Sequence, residues 1–129
     1  MTQYVVYDIF SLWHGRLSSP EEFGEWWENL SAEEQESVAR GVKLLEATGP
    51  ALGRPYAETL ARMSKHSNMK ELRIVHHGDA YRVLFAFDER RVGNLLLGGR
   101  KADQKWYKDA VPKADKTFDK HLEALKKKK

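Results

Sequence analysis

Hydrophobic and polar positions recur with two different periods along the chain, and the change of period separates helical from extended stretches. Apolar residues return every three or four positions through 23–45, as on one face of a helix. They return every second position through 69–88, as in strands with one buried face. The short apolar runs 3–10 and 94–98 also predict strands, and the sparser apolar positions of 106–125 predict a C-terminal helix.

One helix start signal precedes the first helical stretch and a second lies within it, so the pattern predicts two helices. Ser19 is a good N-cap with Glu22 three residues later, and Ser31 repeats this capping-box pattern with Glu34. Gly49, followed by a proline, ends the second helix. The pattern predicts an acidic pair of antiparallel helices with a very short connection.

The extended stretches predict an antiparallel meander. Residues 50–68 have no sustained period and contain two prolines, so we expect a long loop with one helical turn at Ala57–Met63. Met69–His77 and Tyr81–Asp88 alternate in polarity and are joined by a short turn. Asn94–Gly98 is short and apolar, as in a central strand.

The segment after Gly99 is basic and helical in pattern. Asp103 is its predicted N-cap, and Pro112 is expected to kink or split the helix because proline has no amide donor. Residues 126–129 are expected to form a disordered basic tail. The element order therefore predicts a single α+β domain over 1–129, with an N-terminal strand, a two-helix hairpin, an antiparallel meander and a C-terminal helix.

Charge is distributed unevenly between the two parts of the chain. Residues 1–50 contain three Lys and Arg against nine Asp and Glu, a net charge of −6. Residues 51–129 contain 19 against 10, a net charge of +9, and without the last four lysines this excess is still +5. The second part is therefore the part expected to face a polyanion such as nucleic acid.

The composition also excludes several classes of protein. The chain contains no cysteine, so it has neither a disulfide framework nor a thiolate metal site, as is typical of proteins in a reducing cytosol. Neither a membrane-spanning run nor the layout of a secretion signal is present. We therefore expect a cytoplasmic protein that does not associate with a membrane.

Four sequence segments, in this order along the chain, resemble those of a known family. They are LGRPYAETL (52–60), NMKELRI (68–74), YRVLFAFD (81–88) and GGRKADQKWY (98–107). Together with the order of the elements, they resemble the RelE/ParE superfamily of toxins, and more closely its HigB-like, phage-derived branch. These segments total 34 of the 129 residues and lie between positions 52 and 107, whereas the element order covers nearly all of the chain.

The resemblance implies a fold, an activity and partners. The fold is the RelE-like, microbial-RNase-like α+β fold. The activity is that of an mRNA interferase, an endoribonuclease that cuts messenger RNA without a metal or other cofactor, in many members only on the ribosome. The partner is a cognate antitoxin, usually a helix-turn-helix protein of the HigA kind, which neutralises the toxin of the type II toxin–antitoxin pair.

Five residues are candidates for the chemistry of RNA cleavage. Glu71 and Arg73 are two positions apart on one predicted strand and share a face, which Arg82 on the next strand can join. By the resemblance, Arg82 matches the arginine that binds the scissile phosphate. The planar, permanently charged guanidinium group is suited to this task. Lys101 and Tyr107 match the basic residue and tyrosine that complete the family's active site.

The sequence offers more than one candidate for the general base, because the best-known family pattern has a lysine pair on the strand of Glu71 and this chain does not. Arg73 is a poor base because arginine essentially never loses its proton. Glu71 is our first choice, with Glu58 and His66 in the long loop as alternatives. An equally good interpretation is that Glu71 is only an ion-pair partner of Arg73 or Arg82.

Further basic residues are candidates for contacts with phosphates of the substrate. These are Arg54, Lys65, His66, Lys70 and Arg100. No metal site is predicted: His76 and His77 are adjacent, neighbouring strand residues face opposite ways, and no third ligand has useful spacing.

Two other classes of function share the coarse pattern. ParE-like members of the superfamily inhibit DNA gyrase by binding and cut no RNA, and a phage RNA- or protein-binding module would also present a basic face. The joint presence of Arg73, Arg82, Lys101 and Tyr107 at the family's spacing favours the nuclease, since a pure binder does not need this set.

Overall fold

The computed structural model describes residues 17–18 and 21–127. The predicted strand at 3–10, and Ser19 as a helix cap, lie outside these residues. The elements, in chain order, are β1 (Leu17–Ser18), α1 (Glu21–Glu28), α2 (Ala32–Thr48), a 3-10 turn (Gly49–Ala51), β2 (Ala57–Thr59), β3 (Lys70–His76), β4 (Asp79–Phe87), β5 (Gly93–Arg100) and α3 (Trp106–Lys127). The α+β class is confirmed, as are two helices with a short connection at the predicted place.

The sheet has the strand order β1-β5-β4-β3-β2. Strands β2 to β5 pair antiparallel, so the predicted meander is confirmed, and β1 adds a two-residue parallel pairing to β5. The helical turn predicted at Ala57–Met63 is wrong, because Ala57–Thr59 is a strand paired with β3. Three residues are too few for the sequence to show a period of two, which is why the pattern hid this strand.

The sheet separates two apolar cores. On one face, α1 and α2 cover side chains of β3, β4 and β5 such as Leu72, Val83 and Leu95. On the other face, α3 packs its own apolar side, including Val111 and Phe118, onto a second core. We call these the hairpin face and the α3 face. Burial of apolar surface on both faces holds the sheet in place between the two layers of helices.

The helix ends follow the predicted signals. Ser31 caps α2 with the predicted capping box: its hydroxyl accepts from the Glu34 amide at 3.1 Å, and the Glu34 carboxylate accepts from the Ser31 amide at 2.7 Å. Gly49 ends α2 with φ of 72°, a left-handed conformation that favours glycine. Asp103 lies just ahead of α3, and its side chain accepts from the Lys105 amide at 2.9 Å.

The C-terminal helix differs from its prediction in two respects. Pro112 does not split α3, which runs unbroken from Trp106 to Lys127. Both Pro112 and Lys108, whose carbonyl loses its amide partner, are exposed, so water can hydrogen-bond that carbonyl. The helix also continues two residues into the segment predicted to be a disordered tail. Within residues 17–18 and 21–127, no helix is long and apolar enough to cross a membrane.

Candidate functional site

Strand alternation collects the predicted catalytic residues of β3 and β4 on the α3 face. Glu71 and Arg73 point toward this face, whereas Leu72 between them belongs to the core of the hairpin face. Arg82 on β4 lies directly opposite Arg73 in the register. Gly99 on β5 is the next residue along this row, opposite Arg82, and its lack of a side chain makes room for the Trp106 ring.

The carboxylate of Glu71 is the centre of a compact polar cluster. Its side chain is only 2% exposed, and both of its oxygens are engaged. Oε1 accepts a hydrogen bond from the Tyr107 hydroxyl at 2.5 Å, and Oε2 accepts from Nε and Nη2 of Arg73 at 3.2 and 3.1 Å. We call Glu71, Arg73, Arg82 and Tyr107 the Glu71 cluster.

The two arginines of the cluster differ in their access to solvent. Arg82 is 11% exposed on its side chain, with Nε 3.2 Å from Oε1 of Glu71 and Nη1 donating to the Tyr81 carbonyl at 3.0 Å. The Nε group is close enough for an ion pair but is not aligned for a hydrogen bond. Arg73 is 37% exposed. The guanidinium of Arg73 is therefore accessible to solvent, whereas that of Arg82 is largely buried.

Tyr107 reaches the cluster from the first turn of α3. Burial, together with the hydrogen bond to Glu71, raises the pKa of the Tyr107 hydroxyl above its ordinary value, and nearby Arg82 opposes this only in part. The hydroxyl therefore stays protonated at neutral pH and acts as a donor. Its neighbour Trp106 lies over Gly99, where an added Cβ would come within 2.6 Å of the indole ring.

Lys101 stands beside the cluster at the end of β5. Its amide donates to the Ala80 carbonyl at 2.8 Å, which fixes the backbone just past the strand. Its ammonium lies 5.7 Å from the centroid of the Tyr107 ring, within the range of a cation–π contact. The structure thus brings all five predicted catalytic residues into one place.

The alternative bases occupy very different positions. Glu58 lies opposite Glu71 in the register of β2 and β3, and its side chain is 22% exposed. A hydrogen bond from Arg54 lowers the pKa of the Glu58 carboxyl. His66 is instead 2.7 Å from Asp119 on α3. At 1.5 Å per helical residue, Asp119 is about 18 Å along α3 from Tyr107, so His66 lies far from the cluster.

The predicted phosphate contacts are not all on one surface. Arg54 is 79% exposed and forms an ion pair with Glu58 next to the cluster. Lys65 pairs with Asp119, at the distant part of α3. On the hairpin side, Lys70 donates to the Pro50 carbonyl at 3.1 Å, and Arg100 pairs with Asp79 over the Tyr81 ring. Of these residues, only Arg54 is placed to extend the cluster.

A second polar network on the α3 face was not anticipated from the sequence. The side chain of Asp88 is fully buried and accepts from Arg90 at 2.7 Å and Asn94 at 3.3 Å, with His121 at 2.9 Å. Burial opposes ionisation of Asp88, but these hydrogen bonds outweigh it and hold its pKa well below the usual range. The network ties α3 to the turn between β4 and β5. The residues are too scattered in sequence to form a motif.

The histidine pair also differs from expectation. The argument that His76 and His77 face opposite ways is wrong, because His77 lies in the turn after β3 and its ring stacks on that of His76 with centroids 4.1 Å apart. Among the described residues, Glu33, His76 and His77 form a group that could hold a metal ion.

Comparisons with known proteins agree on one family. The family described as phage-derived protein Gp49-like (DUF891) matches residues 25–119. The putative toxin HigB2 of Mycobacterium tuberculosis H37Rv is 40% identical over 111 residues, which cover 84% of this chain but 55% of that protein. The putative toxin HigB3 of the same strain is 41% identical over 99 residues, covering 75% of this chain and 84% of that protein. No solved structure matches.

Fold and cluster together define a small α+β protein that holds fixed cations around a buried carboxylate on its sheet. The chain belongs to the Gp49-like family of phage-derived proteins, since the match covers well over half of its length. The resemblance to the HigB-like, phage-derived branch is thereby confirmed. The chain spans about half the length of HigB2.

Proposed function

We propose that this protein is the toxin of a type II toxin–antitoxin pair and acts as a metal-independent mRNA endoribonuclease. Its relatives in Mycobacterium tuberculosis are named putative HigB toxins, which supports the toxin assignment. The observation that carries the nuclease assignment is the Glu71 cluster with Lys101 beside it. A purely structural ion pair would need one cation for one carboxylate, whereas here two guanidiniums and a tyrosine surround Glu71.

The excess of positive charge is what phosphate binding requires. The single carboxylate of Glu71 neutralises one of the two arginine charges, so the cluster keeps a net positive charge before Lys101 is added. A phosphate bound at the exposed edge of Arg73 would meet a guanidinium that Glu71 already holds in place. Groups fixed in this way stabilise the charge of a transition state without first having to reorganise.

The role of Glu71 in this proposal is positioning rather than proton transfer. A general base must come within hydrogen-bond distance of the proton that it removes. Glu71 is 2% exposed and both of its oxygens have partners, so a 2′-hydroxyl would have to displace one of them. The oxygens of Glu58 also accept hydrogen bonds, from Arg54 and the Thr59 amide, but Glu58 is on the same face with 22% of its side chain exposed, so it can exchange a partner in contact with solvent and is the better-placed base.

The proposed reaction is an attack of the ribose 2′-oxygen on the adjacent phosphorus. Glu58 takes the proton of the 2′-hydroxyl, and Arg73 and Arg82 stabilise the negative charge that develops on the phosphorane oxygens. The bond from phosphorus to the 5′-oxygen breaks, and Lys101 gives its proton to that leaving oxygen. The products are a 2′,3′-cyclic phosphate and a free 5′-hydroxyl.

The partners in this proposal are messenger RNA on the ribosome and a HigA-like helix-turn-helix antitoxin. The net charge of +9 on residues 51–129 supports an RNA-facing surface, because phosphate contacts supply much of the affinity for nucleic acid. The negative first part of the chain lies mainly in α1 and α2, on the opposite side of the sheet. Messenger RNA is therefore expected to approach the α3 face.

Induction in bacteria tests the proposal against gyrase inhibition. Wild type, Arg82→Ala and the control Arg62→Ala, which removes an exposed loop arginine, are each expressed while mRNA 5′ ends and plasmid supercoiling are measured. We expect new 5′ ends and growth arrest with wild type and Arg62→Ala, and neither with Arg82→Ala. Growth arrest with altered supercoiling and no new 5′ ends would overturn the nuclease assignment in favour of a ParE-like inhibitor.

A further inference from the structure

The turn between β3 and β4 brings two imidazoles together at the edge of the hairpin face. His77 and Gly78 both have positive φ, 50° and 81°, as in the two-residue turns that link antiparallel strands. This conformation rotates His77 out of the strand alternation, so its ring stacks on His76 with an interplanar angle of 24°. Both side chains therefore face the same space, which a continuous strand would not allow.

A carboxylate from α2 completes a three-residue group. Glu33 lies in the first turn of α2, and one ligand atom from each of Glu33, His76 and His77 lies within 4.8 Å of the others. Oε2 of Glu33 is 3.9 Å from Nε2 of His77. The three residues line a cavity of about 290 Å³, which leaves room for an ion and water between them.

Ser37 provides the support that a metal-binding histidine usually has. This buried serine places its Oγ 2.7 Å from Nδ1 of His76. Arg40 Nη2 donates to the same oxygen at 3.3 Å. In the tautomer with its proton on Nδ1, His76 donates to Ser37 and presents the Nε2 lone pair to a metal, with the ring held in orientation as in other histidine sites. The Tyr81 ring further fixes His76 by an edge contact at 5.9 Å.

Positive and negative side chains both surround this cavity, so its local charge is not strongly negative. Arg40 lines the same cavity and would oppose a bound cation. Glu36, which also lines it, lies 3.7 Å from Nη1 of Arg40 and offsets that charge. Selectivity at such a site must therefore come from the donor atoms, and two imidazole nitrogens favour Zn²⁺ and its transition-metal neighbours over Mg²⁺ or Ca²⁺.

We propose that Glu33, His76 and His77 form a binding site for a divalent transition metal of the Zn²⁺ class, with water in the remaining coordination position. Two histidines and one glutamate are an established zinc donor set. Because Glu33 belongs to α2, His76 is the last residue of β3 and His77 follows it in the turn, a bound ion would join the helix hairpin to the sheet. The site lies on the opposite side of β3 from the Glu71 cluster and does not depend on the nuclease proposal.

Calorimetric titration of Zn²⁺ into the untagged, metal-stripped full chain tests this site. His77→Ala is the main variant because His77 is 73% exposed, so its loss should leave the fold intact. Glu36→Gln is the matched control, since it removes the same charge from the same cavity without removing a proposed ligand. We expect one Zn²⁺ per chain for wild type and Glu36→Gln. We expect at least about a tenfold loss of affinity for His77→Ala and Glu33→Gln, and about tenfold for Ser37→Ala.

Two further readouts make the outcome decisive. Co²⁺ should give the visible absorption of a low-coordinate site in the wild type, and His77→Ala should lose it. Zn²⁺ should raise Tm by roughly 5 °C at about ten times its Kd, because it binds only the folded state. Binding that is unchanged in His77→Ala, equally weakened in Glu36→Gln, or not saturable at one ion per chain would overturn the proposal.

Discussion

The middle of β3 and β4 presents Leu72, Ile74 and Val83 to the hairpin face, whereas the intervening residues Glu71, Arg73 and Arg82 face α3. In this region the two strands therefore carry apolar core side chains on one side and, beside the second apolar core, the charged cluster on the other. A substitution on one face does not directly contact the side chains of the other face, because adjacent side chains of a strand point in opposite directions. Neighbouring residues thus provide matched pairs for separating stability from activity.

The largest effect is expected where the charged face is most buried. Removing Glu71 as Glu71→Ala leaves Arg82 enclosed without its carboxylate, which should cost about 3–5 kcal/mol in the free energy of unfolding. Glu58→Ala, opposite Glu71 in the register, removes a carboxylate that is open to solvent, pairs with Arg54 and accepts from the Thr59 amide, so it should cost much less. Urea unfolding of both variants checks this difference. Equal losses would contradict the central place of Glu71.

Adjacent residues of β3 give the cleanest separation of the two faces. Leu72→Ala empties a fully buried position of the hairpin face and should lower the free energy of unfolding by about 2–5 kcal/mol, with little change in the turnover of folded protein. Arg73→Ala should reduce turnover about 100- to 1,000-fold with a smaller loss of stability. RNA cleavage rates and thermal melts of both variants, measured together, test the pair. A turnover loss in Leu72→Ala as large as that in Arg73→Ala would contradict it.

Gly98 and Gly99 on β5 allow the same comparison of the two faces, with smaller expected losses of stability. A Cβ at Gly98 would lie 2.0 Å from the Trp26 ring on the hairpin face, and one at Gly99 would lie 2.6 Å from Trp106 on the α3 face. Gly98→Ala should therefore destabilise the fold by about 1–3 kcal/mol through overpacking. Gly99→Ala should instead displace Trp106 next to Tyr107 and reduce cleavage more than stability. Chemical denaturation and cleavage assays distinguish the two variants.

The smallest expected effect concerns pH. The depressed pKa of Asp88 means that its ionised form stabilises the folded state fully above the unfolded-state value of about 4, and this contribution is lost as the pH falls through the folded-state pKa. Asp88→Asn should lower stability at neutral pH, because Arg90 and His121 lose their anionic acceptor, and should show a shallower decline of stability below about pH 4. Unfolding curves between acid and neutral pH check this. An unchanged acid decline would contradict the role of Asp88.

Several features of the fold followed from local pattern. The capping box at Ser31 and Glu34, and the alternation that separates Leu72 from Arg73, depend on neighbouring residues and were predictable. The three-residue strand β2 was not predictable, since it is held by pairing with β3 rather than by a pattern of its own. The stacking of His77 on His76 depends on a turn conformation that the strand-like sequence around it concealed.

The sequence predicted which residues form the site better than it predicted what each residue does there. Spacing and family resemblance led to Glu71, Arg82 and Tyr107, but they do not reveal that Glu71 is 2% exposed with both oxygens engaged. Burial of that carboxylate arises from α3 packing over the sheet, a contact between residues 36 positions apart. Sequence likewise does not separate Arg54, which lies beside the cluster, from Lys65, which lies far along α3.

The chemistry of the cut end is the most direct test of the nuclease proposal. Purified wild type is incubated with messenger RNA on ribosomes and free in solution, and with the same RNA carrying one 2′-deoxy nucleotide at the mapped cleavage position. We predict cleavage of the all-ribose RNA to a 2′,3′-cyclic phosphate and a 5′-hydroxyl, and no cut at the 2′-deoxy position. Cleavage of the 2′-deoxy RNA at the same rate, or no cleavage with or without ribosomes, would contradict the account.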